Sequence, residues 1–248
     1  FGPSFVRCIR FEIFPRNCTP PVVVEQNVTF TAGSASGIVV RVPCGDYACI
    51  TARDVRHSLR RTDIDNFGTT PVVDDRYRAM FTNRTGTGGD DDSLVLGNLA
   101  QENNEYQYID ILDVAAVLTR YGSTSPLDTG CGFPTRHADL NGDSIVGLID
   151  LTITLGNFSR NQEANCCGLG GLQSGPQLES AESGQRVEPR MEVSVEDLAS
   201  LGMDDLIAAD LNGDGMVDLG DVTAALAGDK PIEVPTDSAT LKPMPRRR

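Results

Sequence analysis

Two twelve-residue stretches of this chain read almost alike, Asp139-Leu-Asn-Gly-Asp-Ser-Ile-Val-Gly-Leu-Ile-Asp150 and Asp210-Leu-Asn-Gly-Asp-Gly-Met-Val-Asp-Leu-Gly-Asp221. Each puts short oxygen-bearing side chains at positions 1, 3 and 5, a glycine at position 4 and an aspartate at position 12. Such spacing suits a hard cation. Ca²⁺ takes oxygen ligands at roughly 2.3–2.6 Å, and a loop of this length wraps the ion with alternate side chains, one carbonyl and a terminal carboxylate. The expected ligands are Asp139, Asn141, Asp143, the carbonyl of Ile145 and Asp150 in the first loop. In the second they are Asp210, Asn212, Asp214, the carbonyl of Met216, Asp218 and Asp221. At position 9 the first loop has Gly147, where a water must fill in.

A single Asp-x-Asn-x-Asp triplet is ordinary in an acidic chain, where it serves as an Asx turn. Here both copies run into a segment with apolar residues at helical spacing: Leu151, Leu155 and Phe158 after the first, Val222, Ala225 and Leu226 after the second. A helix leaving from position 12 holds the last carboxylate against the ion. A third, damaged copy lies upstream, where Asp110 and Asp113 occupy positions 9 and 12 ahead of a helical run. Counting back puts Glu102, Asn104 and Tyr106 at positions 1, 3 and 5, and Tyr cannot chelate; Asn98 serves as position 1 only if four residues are inserted. Whether this copy holds a third ion near Asp110 and Asp113 is left open. Position 12 then recurs at 113, 150 and 221, as expected of one helical unit per repeat.

The loops depart from the EF-hand fingerprint in having Gly at position 4 and Asp, not Glu, at position 12. This variant resembles the dockerin type I repeat, whose D-x-N-x-D loop leads directly into one helix. The order of several phrases, among them Arg7-Cys-Ile-Arg-Phe-Glu12, Val42-Pro-Cys-Gly-Asp-Tyr-Ala-Cys-Ile-Thr-Ala-Arg-Asp54, His137-Ala-Asp-Leu-Asn-Gly142 and Ala164-Asn-Cys-Cys-Gly168, is similar to cysteine-bearing, dockerin-repeat secreted proteins of planctomycete bacteria. The resemblance implies an extracellular location and bound calcium. Dockerins bind cohesin modules, and the positions by which they choose a cohesin, 10 and 11, are Leu148/Ile149 and Leu219/Gly220 here.

The net charge of −14 argues against a nucleic-acid partner, because phosphates need a positive face. No apolar run is long enough to span a membrane. The chain starts at Phe1 without Met, so removal of a signal peptide is expected. All seven cysteines precede residue 168, without zinc-site spacing and with only two histidines in the chain. They read as disulfides of an oxidising compartment, with Cys8–Cys18, Cys44–Cys49 and Cys131 with Cys166 or Cys167 as the expected pairs. Sequons at Asn17, Asn27, Asn83 and Asn157 permit glycosylation.

The expected fold class is α+β. A β-rich, antiparallel, sandwich-like domain spans 1–96, with strands at Phe5–Phe14, Pro21–Phe30, Gly37–Val42, Tyr77–Phe81 and Ser93–Leu96; the stretch Ile50–Thr62 is read as a loop or short strand. Loop-helix repeats occupy 97–167, a linker 168–190, a further loop-helix repeat 191–228 and a Pro-rich, basic-ended tail 229–248. No catalytic constellation is legible. Asp54, His57 and Ser58 lie close in sequence, but no Gly-x-Ser-x-Gly elbow appears, and a chain without Trp has little to stack on sugar rings. The expected function is a secreted, non-catalytic, calcium-stabilised structural protein that self-associates into a fibre or surface layer. The alternative is a dockerin-like adaptor for a cohesin-type partner.

Overall fold

The computed structural model describes residues 2, 4–63, 77, 79–81, 94–99, 108–124, 128–132, 137–161, 163, 167 and 189–229. Most of 168–190, nearly all of the 229–248 tail, Cys166, the Asn83 sequon and Glu102, Asn104 and Tyr106 lie outside them.

The first 63 residues build one sheet. Strand β1 (Ser4–Pro15) alternates large apolar and polar residues, pairs antiparallel with β2 (Val22–Thr31) on one side, and with β3 (Tyr47–Asp54) on the other. β4 (Arg61–Asp63) extends the sheet beyond β3, and the two-residue β5 (Asp128–Thr129) runs parallel to β1 at Val6 and Arg7. The strand order is β2-β1-β3-β4. Ile9, Phe11 and Ile13, two apart and so on one face, pack with Val28, Tyr47, Ile50 and Ala52.

Two sequence expectations change here and a third is narrowed. The described residues contain one sheet of this size and no facing partner sheet, so a mixed α+β chain stands without a sandwich. Residues 37–42 form no strand; Ile38 and Val39 are exposed, leaving their β-branched side chains without a surface to pack on. Of the two readings of Ile50–Thr62, loop or short strand, the strand holds at both ends: the stretch supplies most of β3, where Tyr47, Cys49, Ile50 and Ala52 are all buried, and part of β4. Leu96 makes only an isolated bridge to Ser58.

The remaining described chain is helical: α1 (Ile111–Leu118), α2 (Leu148–Gly156), α3 (Val195–Ser200) and α4 (Leu219–Ala227), with a 3₁₀ turn at Asp204–Ala209. α1 is buried almost all round and packs on α2, α4 and the 3₁₀ turn. Two short strands, β6 (Val193–Ser194) and β7 (Met216–Val217), pair antiparallel.

The disulfides are long-range. Cys8 pairs with Cys131, and Cys18 with Cys167; Cys49 is also bonded, while Cys44 is a free, exposed thiol. The expected Cys8–Cys18 and Cys44–Cys49 pairs are therefore wrong, and Cys131 bonds to neither Cys166 nor Cys167. The reason lies in the sheet: β1 and β2 form a long antiparallel hairpin, and Cys8 sits mid-strand opposite Asn27, not at the turn with Cys18. Among the described residues no helix is long and apolar enough to cross a membrane.

Candidate metal centre

The two acidic loops fold alike, position for position. In the first, the position-12 carboxylate of Asp150 accepts from the backbone N–H groups of Leu140 (2.7 Å) and Asn141 (3.1 Å) through one oxygen, and from Gly147 (2.8 Å) through the other. In the second, Asp221 accepts from Leu211 (2.7 Å), Asn212 (3.2 Å) and Asp218 (2.9 Å). The position-1 carboxylates match too: Asp139 accepts from Gly142 and Ser144, Asp210 from Gly213 and Gly215. Asn141 and Asn212 each accept from the residue two further on and donate their amide to Asp143 and Asp214. Positions 4 and 6 are left-handed in both, at Gly142, Ser144, Gly213 and Gly215. Ser144 holds a φ of 74° that glycine would adopt with less strain.

These hydrogen bonds tie positions 1, 3 and 12 to the loop backbone: one oxygen each of Asp139, Asp150 and Asp221 accepts two N–H groups, and the other accepts one and keeps a second lone pair. Asp139, Asn141, Asp150 and Asp221 are buried, Asp210 and Asp218 half-buried, and Asp143, Asn212 and Asp214 exposed. Of the carbonyl donors expected at position 7, Ile145 has an exposed side chain and Met216 a half-buried one. Among the described residues none of the loop aspartates ion-pairs with a Lys, Arg or His side chain. An unpaired buried carboxylate costs several kcal/mol, on the order of a lost ion pair. Burial accordingly pushes the Asp150 carboxyl above its usual range, and the Asp139 charge adds to this, although the three backbone N–H donors pull the other way. The donor set is all oxygen, the type a hard divalent cation takes, although the ligand oxygens of no three aspartates of either loop lie within 4.8 Å of one another.

The damaged copy closes in the same way, in a register the spacing did not give. The Asp113 carboxylate accepts from Leu99 N–H (2.6 Å) and Asp110 N–H (2.9 Å), as Asp150 does from Leu140 and Gly147. The Leu99 contact matches position 2 and so puts Asn98 at position 1, the register that needs four inserted residues. Asp110 caps α1 by accepting from Leu112 N–H and also accepts from Arg190 N–H, so its oxygens serve the backbone of two segments.

A further helix start shares part of this geometry. Val193-Ser-Val-Glu-Asp197 aligns with Val217-Asp-Leu-Gly-Asp221 through the Val193–Val217 pairing, and Asp197 is bonded to the Ser194 cap at 2.8 Å. The third residue of each helix is thus an aspartate: Asp113, Asp150, Asp197 and Asp221. The residue after each aspartate, Val114, Leu151, Leu198 or Val222, is buried in one shared core.

Behind the first loop lies a buried polar group. Arg7 (3 % exposed) approaches Asp54 at 3.7 Å and donates to the carbonyl of Asp139 at 2.7 Å. His57 meets Asp54 through Nδ1 at 2.8 Å, and its ring lies 4.4 Å, centroid to centroid, from that of His137. Ser58 Oγ accepts from the Asp54 backbone N–H. Desolvation first, then the neighbouring His57, Arg7, Arg56 and Arg120, lower the His137 pKa to about 2. The one grouping of His, Cys and carboxylate side chains close enough to share an ion among the described residues is Cys8, Glu25 and Cys131, whose sulfurs are joined as a disulfide and so offer no thiolate.

Comparison with protein-family models, with curated proteins and with solved structures finds no match.

Proposed function

We propose that this chain is a secreted, non-catalytic structural protein whose helical half is braced by Ca²⁺ in the loops 139–150 and 210–221, in the manner of dockerin repeats, and that it self-associates. The observation that carries the calcium reading is the shared hydrogen-bond pattern of two loops whose buried carboxylates have no positive partner. Disulfides of long sequence separation agree with an oxidising compartment, where free Ca²⁺ is abundant. Self-association draws on the apolar side chains that the loops leave in solvent, Ile145 (53 % exposed), Leu148 (56 %) and Ile149 (53 %).

The same exposed positions, with Leu219, favour a second reading, an adaptor that offers positions 10 and 11 to a cohesin-type partner. Electron microscopy and light scattering of the purified protein, with Ca²⁺ and with EDTA, separate the two. Assembly that dissolves on chelation is expected. A monodisperse monomer under both conditions that is captured by a cohesin module would replace the first reading with the second. Calorimetric titration tests the metal itself, with two Ca²⁺ expected per chain and one after Asp221→Ala.

A further inference from the structure

The two loops differ in what stands behind them. The first is gripped by the sheet at three of its positions. Gly2 N–H donates to the Asn141 carbonyl at 2.8 Å, the Phe5 ring lies on Gly142, and Arg7 donates to the Asp139 carbonyl. Phe5 and Arg7 share one face of β1, while Cys8, on the opposite face, is bonded to Cys131 upstream of the same loop. Arg7 is in turn fixed by Asp54 of β3. The second loop hydrogen-bonds within itself and to Val193–Val195, and a side chain added at Gly213 or Gly215 would meet open space.

From this asymmetry we infer that the loop 139–150 is a cation-dependent clasp on the β-sheet, with Arg7 as its positioning residue, whereas 210–221 braces only the α3–α4 pair. The inference rests on the calcium reading above. An ion that binds the loop in the shape β1 holds it in must, by linkage, hold β1 in turn, and the coupling is reciprocal. Removing the Arg7 contact therefore weakens the cation, and removing the cation loosens β1.

Hydrogen exchange of the full chain with Ca²⁺ and with EDTA tests the clasp. In Asp221→Ala, which keeps only the first loop, Ca²⁺ should slow exchange across residues 4–15 by about tenfold. In Asp150→Ala it should slow exchange only within 193–227. Arg7→Met in the Asp221→Ala background should weaken Ca²⁺ binding about tenfold; Arg7→Lys, which keeps the charge and lacks the planar fork, serves if that variant does not fold. Asp221→Ala that binds one Ca²⁺ while exchange across 4–15 stays unchanged would overturn the clasp and leave the calcium reading standing. Absence of any Ca²⁺ binding in Asp221→Ala would remove the calcium reading of that loop, and the clasp with it.

Discussion

Phe5 lies flat against Gly142, so that a Cβ built on the glycine would overlap the ring; Gly213, at the same loop position, has nothing within 4 Å. Both glycines are left-handed, with φ of 71° and 73°. Gly213→Ala should therefore cost only the left-handed strain, about 1–2 kcal/mol. Gly142→Ala should cost that and a further ~1–3 kcal/mol for displacing Phe5. Urea unfolding of the two variants in Ca²⁺ measures the difference, and equal losses would contradict the packing of β1 on the first loop.

Asp113 accepts from two backbone N–H groups, and its replacement should behave as the loss of a structural carboxylate. Asp113→Ala strands the buried N–H groups of Leu99 and Asp110, at roughly 1–3 kcal/mol each. The midpoint of unfolding should fall by the same amount in Ca²⁺ and in EDTA. A loss seen only in Ca²⁺ would mean that Asp113 ligates an ion.

His137 gives the fold an acid limit. Its pKa is lowered from 6.5 to about 2, so the folded chain keeps the ring neutral where the unfolded chain takes up a proton. The unfolded state thus binds more protons below pH 6.5, and stability must fall as pH drops through that value. The slope from this one group approaches about 1.4 kcal/mol per pH unit. The contribution is complete above pH 6.5. His137→Gln should flatten the slope between pH 6.5 and 5 measured by thermal melting in EDTA; an unchanged slope would place the acid sensitivity elsewhere.

The disulfides are checked by mass spectrometry of unreduced peptides, which should link Cys8 to Cys131 and Cys18 to Cys167. Cys131→Ser should cost about 4–5 kcal/mol, because the bond closes a loop of 123 residues whose freedom the unfolded chain regains. Recovery of Cys8 linked to Cys18 would refute the pairing.

The loops were legible because a cation-type loop is a local object. Asp139 to Asp150 and Asp210 to Asp221 hold all the groups that shape them, and so do the caps Asp110, Asp218 and Ser194. The sequence leaves β3 open between loop and short strand, since nothing within Tyr47–Asp54 announces that it will lie beside β1 with nearly every side chain buried. The sequence offers Asn98 as position 1 only on condition of four inserted residues, because an insertion shifts residue counting; the bond from Leu99 to Asp113 supplies the register.

The sequence by itself determined the acidic loops, the helices that leave them and the absence of an apolar span, because each depends on neighbours a few residues away. Only the tertiary structure decided which cysteines meet, that Val193 pairs with Val217, and that Arg7 reaches the carbonyl of Asp139 across 132 positions of chain. Those relations depend on where the strands of the sheet come to lie, and no local spacing encodes them.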